Sequence, residues 1–197
     1  MKIGVLAVQG AFIEHEHIIE KIGHEVVEIR QRKDLDGIDG IILPGGESTV
    51  QGQLLRKLDM LATIKSLIAD GLPTLATCAG LILLAGHIDN DDSVHIGTLP
   101  VTVKRNAYGR QLGSFVRTAP MKGFDEFPMI FIRAPYISSI KDNVDVLAAV
   151  NDRIVAVQYN NQIGLAFHPE LSGDTRIHEY FICLLYTSDA ADDKARV

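Results

Sequence analysis

The 197-residue chain is poor in cysteine and carries no excess of positive charge, and both shortages narrow the class of protein. Two cysteines, Cys78 and Cys183, are too few for a disulfide framework, so we expect a reduced, cytoplasmic environment. The formal net charge of −6 provides no general attraction to nucleic acid or to an anionic membrane surface. We therefore expect neither as a partner.

Long apolar segments are also missing. No stretch of the chain reaches the roughly 18 uninterrupted apolar residues of a membrane helix. The apolar N-terminus is interrupted by Gln9 and is followed closely by Glu14 and Glu16, so we expect no secretory signal. Because the chain also lacks repeats and linkers and its length suits one core, we expect a single domain over residues 1–185.

The first half of the chain alternates short apolar strands with amphipathic helices. We predict strands over 2–8, 24–30, 39–43 and 72–76, and helices over 12–21, 50–58, 60–69 and 79–86. This alternation is typical of an α/β fold in three layers, with a mostly parallel central sheet and helices on both faces.

The second half consists mainly of short strands separated by turn residues. We predict strands over 98–104, 113–118, 129–132, 144–149, 154–159 and 162–167, and a final amphipathic helix over 174–185. Such spacing indicates antiparallel strands added to the core. Residues 186–197 have no apolar periodicity, and we interpret them as a non-native or disordered tail.

The segment LPTLATCAGLILLAG, at 72–86, indicates a reactive cysteine. Cys78 lies between a predicted buried strand and a predicted buried helix, with the small neighbours Ala76, Ala79 and Gly80. A nucleophile on a tight strand-to-helix turn needs small neighbours, because bulky side chains would clash with the strained backbone. The alternative is a cysteine that only packs in the core.

His168 is the best candidate for the base that such a cysteine needs. It directly follows a predicted buried strand, and catalytic groups of open α/β sheets gather at that edge. Pro169 restricts the backbone, so Glu170 can accept a hydrogen bond from one ring nitrogen while the other faces the thiol. The alternative is a plain strand-end turn with a surface carboxylate.

The remaining histidines carry no such signal. Four are expected to be solvated, on or near the first helix and on the last: His15, His17, His24 and His178. His87 and His95 flank an acidic loop, but their spacing matches no established ligand pattern, so no metal site is predicted.

The segment PGGEST, at 44–49, follows a predicted buried strand. Its glycines let backbone N–H groups approach a ligand closely, so the N–H of Gly46 could form an oxyanion hole with that of Ala79. A turn with a helix N-cap at Ser48 or Thr49 is compatible with this interpretation. A phosphate-binding loop is excluded, because the Gly-Lys-Ser/Thr ending is missing.

Together, PGGEST, TCAG and FHPE resemble the class I (triad) glutamine amidotransferases. The segments IGVLAVQGAFIEH, VKRNAYGRQLGSF and FIRAPYI are similar to the glutaminase subunits of pyridoxal 5′-phosphate synthases within that family. The resemblance covers residues 2 to about 183. One departure is Ala76, which stands where the cysteine turn usually has its first glycine.

This resemblance implies a flavodoxin-like fold and assigns roles. Cys78 would be the nucleophile, His168 the base and Glu170 its orienting partner. Six residues would contact glutamine: Gly46, Glu47, Ser48, Arg105, Ile132 and Arg133. Charge complementarity alone requires a cation for the α-carboxylate of glutamine, and either Arg105 or Arg133 could supply it.

The implied activity is hydrolysis of L-glutamine to glutamate and ammonia through a cysteine thioester, with no metal or organic cofactor. The ammonia would pass to a separate pyridoxal 5′-phosphate synthase subunit in a hetero-oligomer. One alternative is the glutaminase of another pathway, such as histidine or purine synthesis. The other is a non-catalytic binding or stress protein, although a sensor cysteine needs no histidine–glutamate pair.

The turn Gln9–Gly10 is a candidate switch. A glutaminase working alone would waste glutamine, so we expect its activity to depend on docking to the synthase. Gly10 allows the peptide to change orientation, which could block or complete the oxyanion hole. We expect a docking face on the first helix, with His15, Glu16 and His17 exposed; the alternative is an ordinary strand-to-helix turn.

Overall fold

A computed structural model of the chain describes residues 1–105 and 113–195, with side chains described as far as Tyr186. Across these residues the chain forms twelve strands and five α-helices. The strands are β1 (Lys2–Leu6), β2 (Glu25–Ile29), β3 (Gly40–Leu43), β4 (Thr74–Thr77), β5 (Ala85–Ile88), β6 (Leu99–Lys104), β7 (Ser114–Met121), β8 (Phe124–Ile132), β9 (Tyr136–Ile140), β10 (Asp145–Val150), β11 (Arg153–Tyr159) and β12 (Gln162–Leu165). The helices are α1 (Phe12–Lys21), α2 (Ser48–Lys57), α3 (Leu61–Ala69), α4 (Ala79–Leu84) and α5 (Arg176–Ala195).

Ten strands form one mixed sheet in the order β2-β1-β3-β4-β12-β11-β9-β6-β5, with β10 paired to β11. The five strands from β2 to β12 run parallel to their neighbours. Strand β11 is antiparallel to β12, β9 and β10, and β7 pairs with β8 in a separate antiparallel hairpin. The predicted α/β fold with added antiparallel strands is therefore confirmed.

Helices cover both faces of the parallel part of the sheet. A Cβ at Gly40 of β3 would lie 2.9 Å from Cζ of Phe181, which places α5 against one face. Leu43 lies three residues further on and faces the opposite side, where its carbonyl oxygen touches the position a Cβ would take at Gly80 of α4. Helix α1 contacts α5 through His15 and His178, whose ring centroids are 5.1 Å apart.

Two elements differ from the sequence-based prediction because tertiary pairing decided them. The helix predicted over 79–86 ends at Leu84, and Ala85–Ile88 instead forms β5, parallel to β6. A short apolar run cannot by itself distinguish a buried helix from a buried strand. Strand β9 was not predicted, since Ser138 and Ser139 interrupt its apolar pattern; it forms by pairing with β6.

The last helix differs from expectation in extent. Helix α5 continues to Ala195 rather than ending at 185. The domain limit at residue 185 and the non-native origin of residues 186–197 stay predictions. The RNAYGRQ segment spans residues 105–111, and all of it except Arg105 lies outside the described residues. None of the helices that the structure describes is both long and apolar enough to cross a membrane.

Candidate active site

Cys78 occupies a strained turn between β4 and α4. Its φ of +48° and ψ of −99° lie in a region that non-glycine residues rarely adopt. The Cys78 N–H donates to the Leu165 carbonyl at 2.8 Å, and the close contact of Gly80 with Leu43 holds the start of α4 against β3. The sulfur is therefore held at the carboxyl edge of the parallel strands, with the residue 7% exposed.

His168 reaches the same edge from the neighbouring strand. Strand β12 pairs with β4 in parallel, with Leu165 opposite Thr77, so His168 lies just beyond the level of Cys78 and its ring interacts with the Cys78 thiol. The His168 backbone N–H donates to the Ile130 carbonyl at 2.8 Å. A Cβ at Gly45 would overlap the imidazole ring, so glycine is required there for the ring to fit.

Glu170 completes a line of three buried side chains. His168 Nδ1 lies 2.6 Å from Glu170 Oε1, and the two side chains are 8% and 0% exposed. Burial lowers the pKa of His168, but the interactions of its ring with Cys78 and with the Glu170 carboxylate raise it to about 10. His168 therefore holds a proton at neutral pH.

A cavity of about 450 Å³ opens above these groups. Cys78, Ala79 and His168 form part of its lining. So do all six residues predicted to contact glutamine: Gly46, Glu47, Ser48, Arg105, Ile132 and Arg133. The structure thus brings the predicted nucleophile, base and binding residues, which are distant in sequence, to one cavity.

Among the described residues, Arg105 and Arg133 are the two arginines that line the cavity. Arg105 Nη1 pairs with Asp91 at 2.9 Å, whereas its Nε and Nη2 are buried and have no hydrogen-bond partner among the described residues. Arg133 is exposed and has a φ of +43°. Because buried guanidinium groups need acceptors, Arg105 is the better placed of the two to bind a carboxylate.

The turn after β1 is joined directly to the loop after β3. The Ala11 N–H donates to the Gly45 carbonyl at 3.0 Å, and the Glu47 N–H donates to Gln9 Oε1 at 2.9 Å. Gln51 Nε2 donates to the backbone carbonyl of Gln9 at 2.9 Å. The predicted switch residues therefore lie directly beside the predicted oxyanion loop.

The N-cap of α2 is Glu47 rather than Ser48 or Thr49, the two caps considered as an alternative interpretation of this turn. The Glu47 carboxylate accepts from Thr49 N at 3.2 Å and from Val50 N at 2.8 Å. A carboxylate at this position also interacts favourably with the positive end of the helix dipole. Helix α2 begins at Ser48, so the residue that precedes its first turn, and caps it, is Glu47.

His15 and His178 are both 0% exposed, so their predicted solvation is wrong. Helices α1 and α5 pack on the same face of the sheet and turn these rings toward each other, with His15 Nδ1 2.9 Å from His178 Nε2. A sequence signal existed: His15 precedes Ile18 and Ile19 by three and four residues, the spacing of an inward-facing stripe. His17 is exposed, as predicted, and Glu16 is half-buried.

His95 is buried at a distance from this line of residues. Its Nδ1 lies 3.2 Å from Arg56 Nη1, and burial followed by repulsion from Arg56 lowers the pKa of its ring. Over the residues whose positions are described, no three His, Cys, Asp or Glu side chains gather in a way that could hold a metal ion.

The fold and this cavity define an α/β protein with a buried cysteine, histidine and glutamate at one sheet edge. The chain belongs to the SNO glutamine amidotransferase family, whose model matches residues 5–186. The resemblance inferred from the sequence motifs is therefore confirmed.

Two relatives are named "Pyridoxal 5'-phosphate synthase subunit PdxT". The one from Desulfitobacterium hafniense (strain DSM 10664 / DCB-2) is 58% identical over 183 residues, which cover 92% of each chain. The one from Streptococcus pneumoniae (strain ATCC 700669 / Spain 23F-1) is 52% identical over 186 residues, covering 92% of this chain and 96% of the relative.

Solved structures agree with the fold. One described as "Crystal structure of glutamine amidotransferase" superposes with a TM-score of 0.89 and 38% identity, covering 93% of this chain and 98% of that one. Another, described as "Structure of PurLQS from Thermotoga maritima", covers 95% of this chain and 96% of its own with a TM-score of 0.66. At 19% identity it shares the fold alone.

Proposed function

We propose that this protein hydrolyses L-glutamine to L-glutamate and ammonia and delivers the ammonia to a separate pyridoxal 5′-phosphate synthase subunit. The observation that carries this proposal is the cavity that places Cys78 and His168 beside the predicted glutamine contacts. Identities of 58% and 52% to synthase subunits support the pathway over purine or histidine synthesis.

In the first step the thiol proton of Cys78 passes to His168 Nε2, and the Cys78 sulfur attacks the side-chain amide carbon of glutamine. The C–N double-bond character is lost and negative charge develops on the amide oxygen. Gly46 and Ala79 both line the cavity, and their backbone N–H groups would donate to that oxygen.

The second step releases ammonia. His168 Nδ1 is held by Glu170, which leaves Nε2 for Cys78 and the reacting centre. Nε2 donates its proton to the leaving nitrogen, the C–N bond breaks, and a glutamyl thioester remains. The neutral imidazole then removes a proton from water, which attacks the thioester and releases glutamate.

Glutamine recognition follows from the charges around the cavity. The two unpartnered N–H groups of Arg105 would bind the α-carboxylate in a bidentate manner. Gly46, Glu47, Ser48, Ile132 and Arg133 complete the proposed pocket. No step of this chemistry calls for a metal or an organic cofactor.

Activity would depend on docking through the turn Gln9–Gly10. Gly10 has a φ of +105°, and a Cβ there would collide with the Gly45 carbonyl oxygen, so this turn needs glycine. Rotating the Gln9–Gly10 peptide would break the hydrogen bond from Gln51 Nε2 to the Gln9 carbonyl. The same rotation would turn the Gly10 N–H toward the oxyanion loop. Exposed Ile13 and His17 on α1 offer the adjacent docking face.

The two free cysteines support the cytoplasm as the location and provide an internal control for the chemistry. A diazo-ketone analogue of glutamine should modify Cys78, because Cys78 lines the cavity, and leave the exposed Cys183 unmodified. Peptide mass spectrometry measures this directly. Modification mainly at Cys183 would contradict the assigned nucleophile.

The decisive experiment measures ammonia release by the wild type, with and without the synthase subunit. We expect little activity alone, strong activation by the partner, and none in Cys78→Ala. A stress or binding protein would release no ammonia, and a glutaminase of another pathway would not respond to this partner.

The turn is tested with a pair of glycine variants. Gly10→Val should prevent activation, whereas Gly23→Val is a matched control, because Gly23 also has a positive φ but open space around it. Normal activation of Gly10→Val would remove the turn as the switch and leave coupling itself intact. Full activity of the wild type without partner would reject the coupling.

A further inference from the structure

Two buried histidines outside the triad extend it by two residues. His15 Nε2 lies 3.4 Å from Glu170 Oε2 and 3.3 Å from Thr77 Oγ1, and His15 Nδ1 lies 2.9 Å from His178 Nε2. Glu170 meets His168 through Oε1 and His15 through Oε2. The contacts therefore form one buried line from His178 on α5, through His15 on α1, to the triad.

One arrangement of protons suits these contacts best. His178 Nδ1 is buried and has no hydrogen-bond partner among the described residues. An orphaned N–H in the interior is rarer and more costly than an orphaned lone pair, so the proton of His178 belongs on Nε2. His178 then donates to His15 Nδ1, and His15 carries its own proton on Nε2, facing Glu170 and Thr77.

Glu170 Oε2 needs that proton. The oxygen is buried and has no partner within ordinary hydrogen-bond geometry among the described residues, and the His15 N–H is the donor next to it. A carboxylate held at only one oxygen can rotate, whereas one approached at both oxygens keeps a single orientation toward His168.

The charge state of the pair is as important as its geometry. Burial lowers the pKa of His15, and repulsion from His178 and His168 lowers it further. Burial also lowers the pKa of His178 to about 4, against a small opposing effect of Asp174. A neutral His15 can donate to Glu170 without adding a positive charge that would compete with His168 for the carboxylate.

We propose that His15 is a positioning residue of the triad, which holds Glu170 in orientation, and that His178 sets its tautomer. This proposal rests on the glutaminase function proposed above. His15 does not line the cavity, so its effect should fall on kcat and leave KM for glutamine unchanged.

The tautomer can be read directly in the full-length chain. Two-bond 1H–15N correlation spectra of protein labelled at histidine distinguish the two neutral tautomers and the imidazolium. We expect His15 and His178 as neutral Nε2–H tautomers at neutral pH, with signals assigned by their loss in His15→Gln and His178→Gln. An Nδ1–H or charged His15 would overturn the proposal.

The functional effect is tested with His15→Leu, which removes the donor, and His15→Gln, whose amide N–H restores it. With the synthase subunit present, His15→Leu should lower kcat about ten- to a hundredfold, the effect seen in metalloenzymes when a residue that orients a metal ligand is removed. The NMR titration midpoint of His168 should fall as well. His15→Gln should recover most of both losses, and His87→Leu, at an exposed position on β5, serves as control.

The outcomes separate this proposal from the function it rests on. A folded His15→Leu with wild-type kcat and an unchanged His168 titration would overturn the positioning role. If that variant does not fold, the tautomer in the wild type and the kinetics of His15→Gln still decide. Wild-type ammonia release no greater than that of Cys78→Ala would instead contradict the glutaminase function, while the spectra would still establish or refute the His15–Glu170 contact.

Discussion

His168 and His178 are both buried histidines, yet their pKa values move in opposite directions. Burial raises the cost of a charged ring at both positions, and at His178 it lowers the pKa to about 4. At His168 the thiol and a carboxylate oxygen 2.6 Å away reverse this effect and raise the pKa to about 10. The direct partner, rather than burial, decides which histidine is charged.

The two regions differ because their partners come from different elements. His168 gains its partners from the sheet edge, where the turn after β4 and the segment after β12 bring Cys78 and Glu170 to it. His178 faces another neutral ring from a neighbouring helix, 2.9 Å away. A charged histidine, the proposed acid–base residue, therefore lies close to a pair of neutral histidines.

Removing the charged histidine should have the largest effect. We expect His168→Asn to lower kcat by about 10⁴-fold or more, because the variant loses the ring nitrogen that protonates ammonia and activates water in the proposed mechanism. The measurement is ammonia release in the presence of the synthase subunit, with His87→Asn as the control. Near-normal turnover would place the base elsewhere.

Removing the negative partner should lower the pKa of His168. In Glu170→Gln one of the two groups that raise this pKa is neutralised, so the pKa should fall below about 10 and the alkaline limb of kcat/KM should move to lower pH. We expect kcat to fall about 10²- to 10⁴-fold, less than in His168→Asn. Glu126→Gln, on the exposed side of the hairpin, is the control.

Glu170→Gln also tests the sign of the pH dependence of stability. Since the pKa of His168 is raised above 6.5, its stabilising contribution is complete below pH 6.5 and is lost as the pH rises toward about 10. The free energy of unfolding of the wild type should therefore fall over that range, and that of Glu170→Gln should fall less. Equal slopes would contradict the assigned ion pair.

The neutral histidine should show the opposite sign with a smaller effect. Because the pKa of His178 is lowered from 6.5 to about 4, its contribution is present above pH 6.5 and is lost as the pH falls toward 4. The loss is roughly 3 kcal/mol at most. Urea unfolding of the wild type and His178→Leu should show a shallower acid decline in the variant, and an unchanged decline would count against a neutral His178.

The smallest effect concerns the acidic group that acts on His178. Asp174→Asn keeps an acceptor for the Arg176 N–H, which lies 3.0 Å from Asp174 Oδ1, but removes the charge. We expect the NMR titration midpoint of His178 to fall by roughly a few tenths of a pH unit, as for one partly screened charge. A rise in the midpoint would show that Asp174 acts in another way.

Much of this site could be predicted because its signals are local. The turn before α4, the glycines after β3 and the residues after β12 each follow a buried strand, and parallel strands bring their carboxyl ends to one edge. What could not be predicted depends on partners from other elements. Strand β5 exists because β6 pairs with it, and the cap of α2 depends on where that helix begins.

The sequence by itself determined the α/β alternation and the family, and it singled out Cys78, His168 and Glu170 as the proposed triad. Hydrophobic periodicity indicates the alternation, and short motifs indicate the family and the three residues. Only the tertiary structure decided that His15 and His178 are buried and neutral. Their contact joins positions 163 residues apart, and the helical spacing of His15 indicates an inward position but not the group that its ring meets. Whether a histidine carries charge depends on the groups that the fold places against its ring.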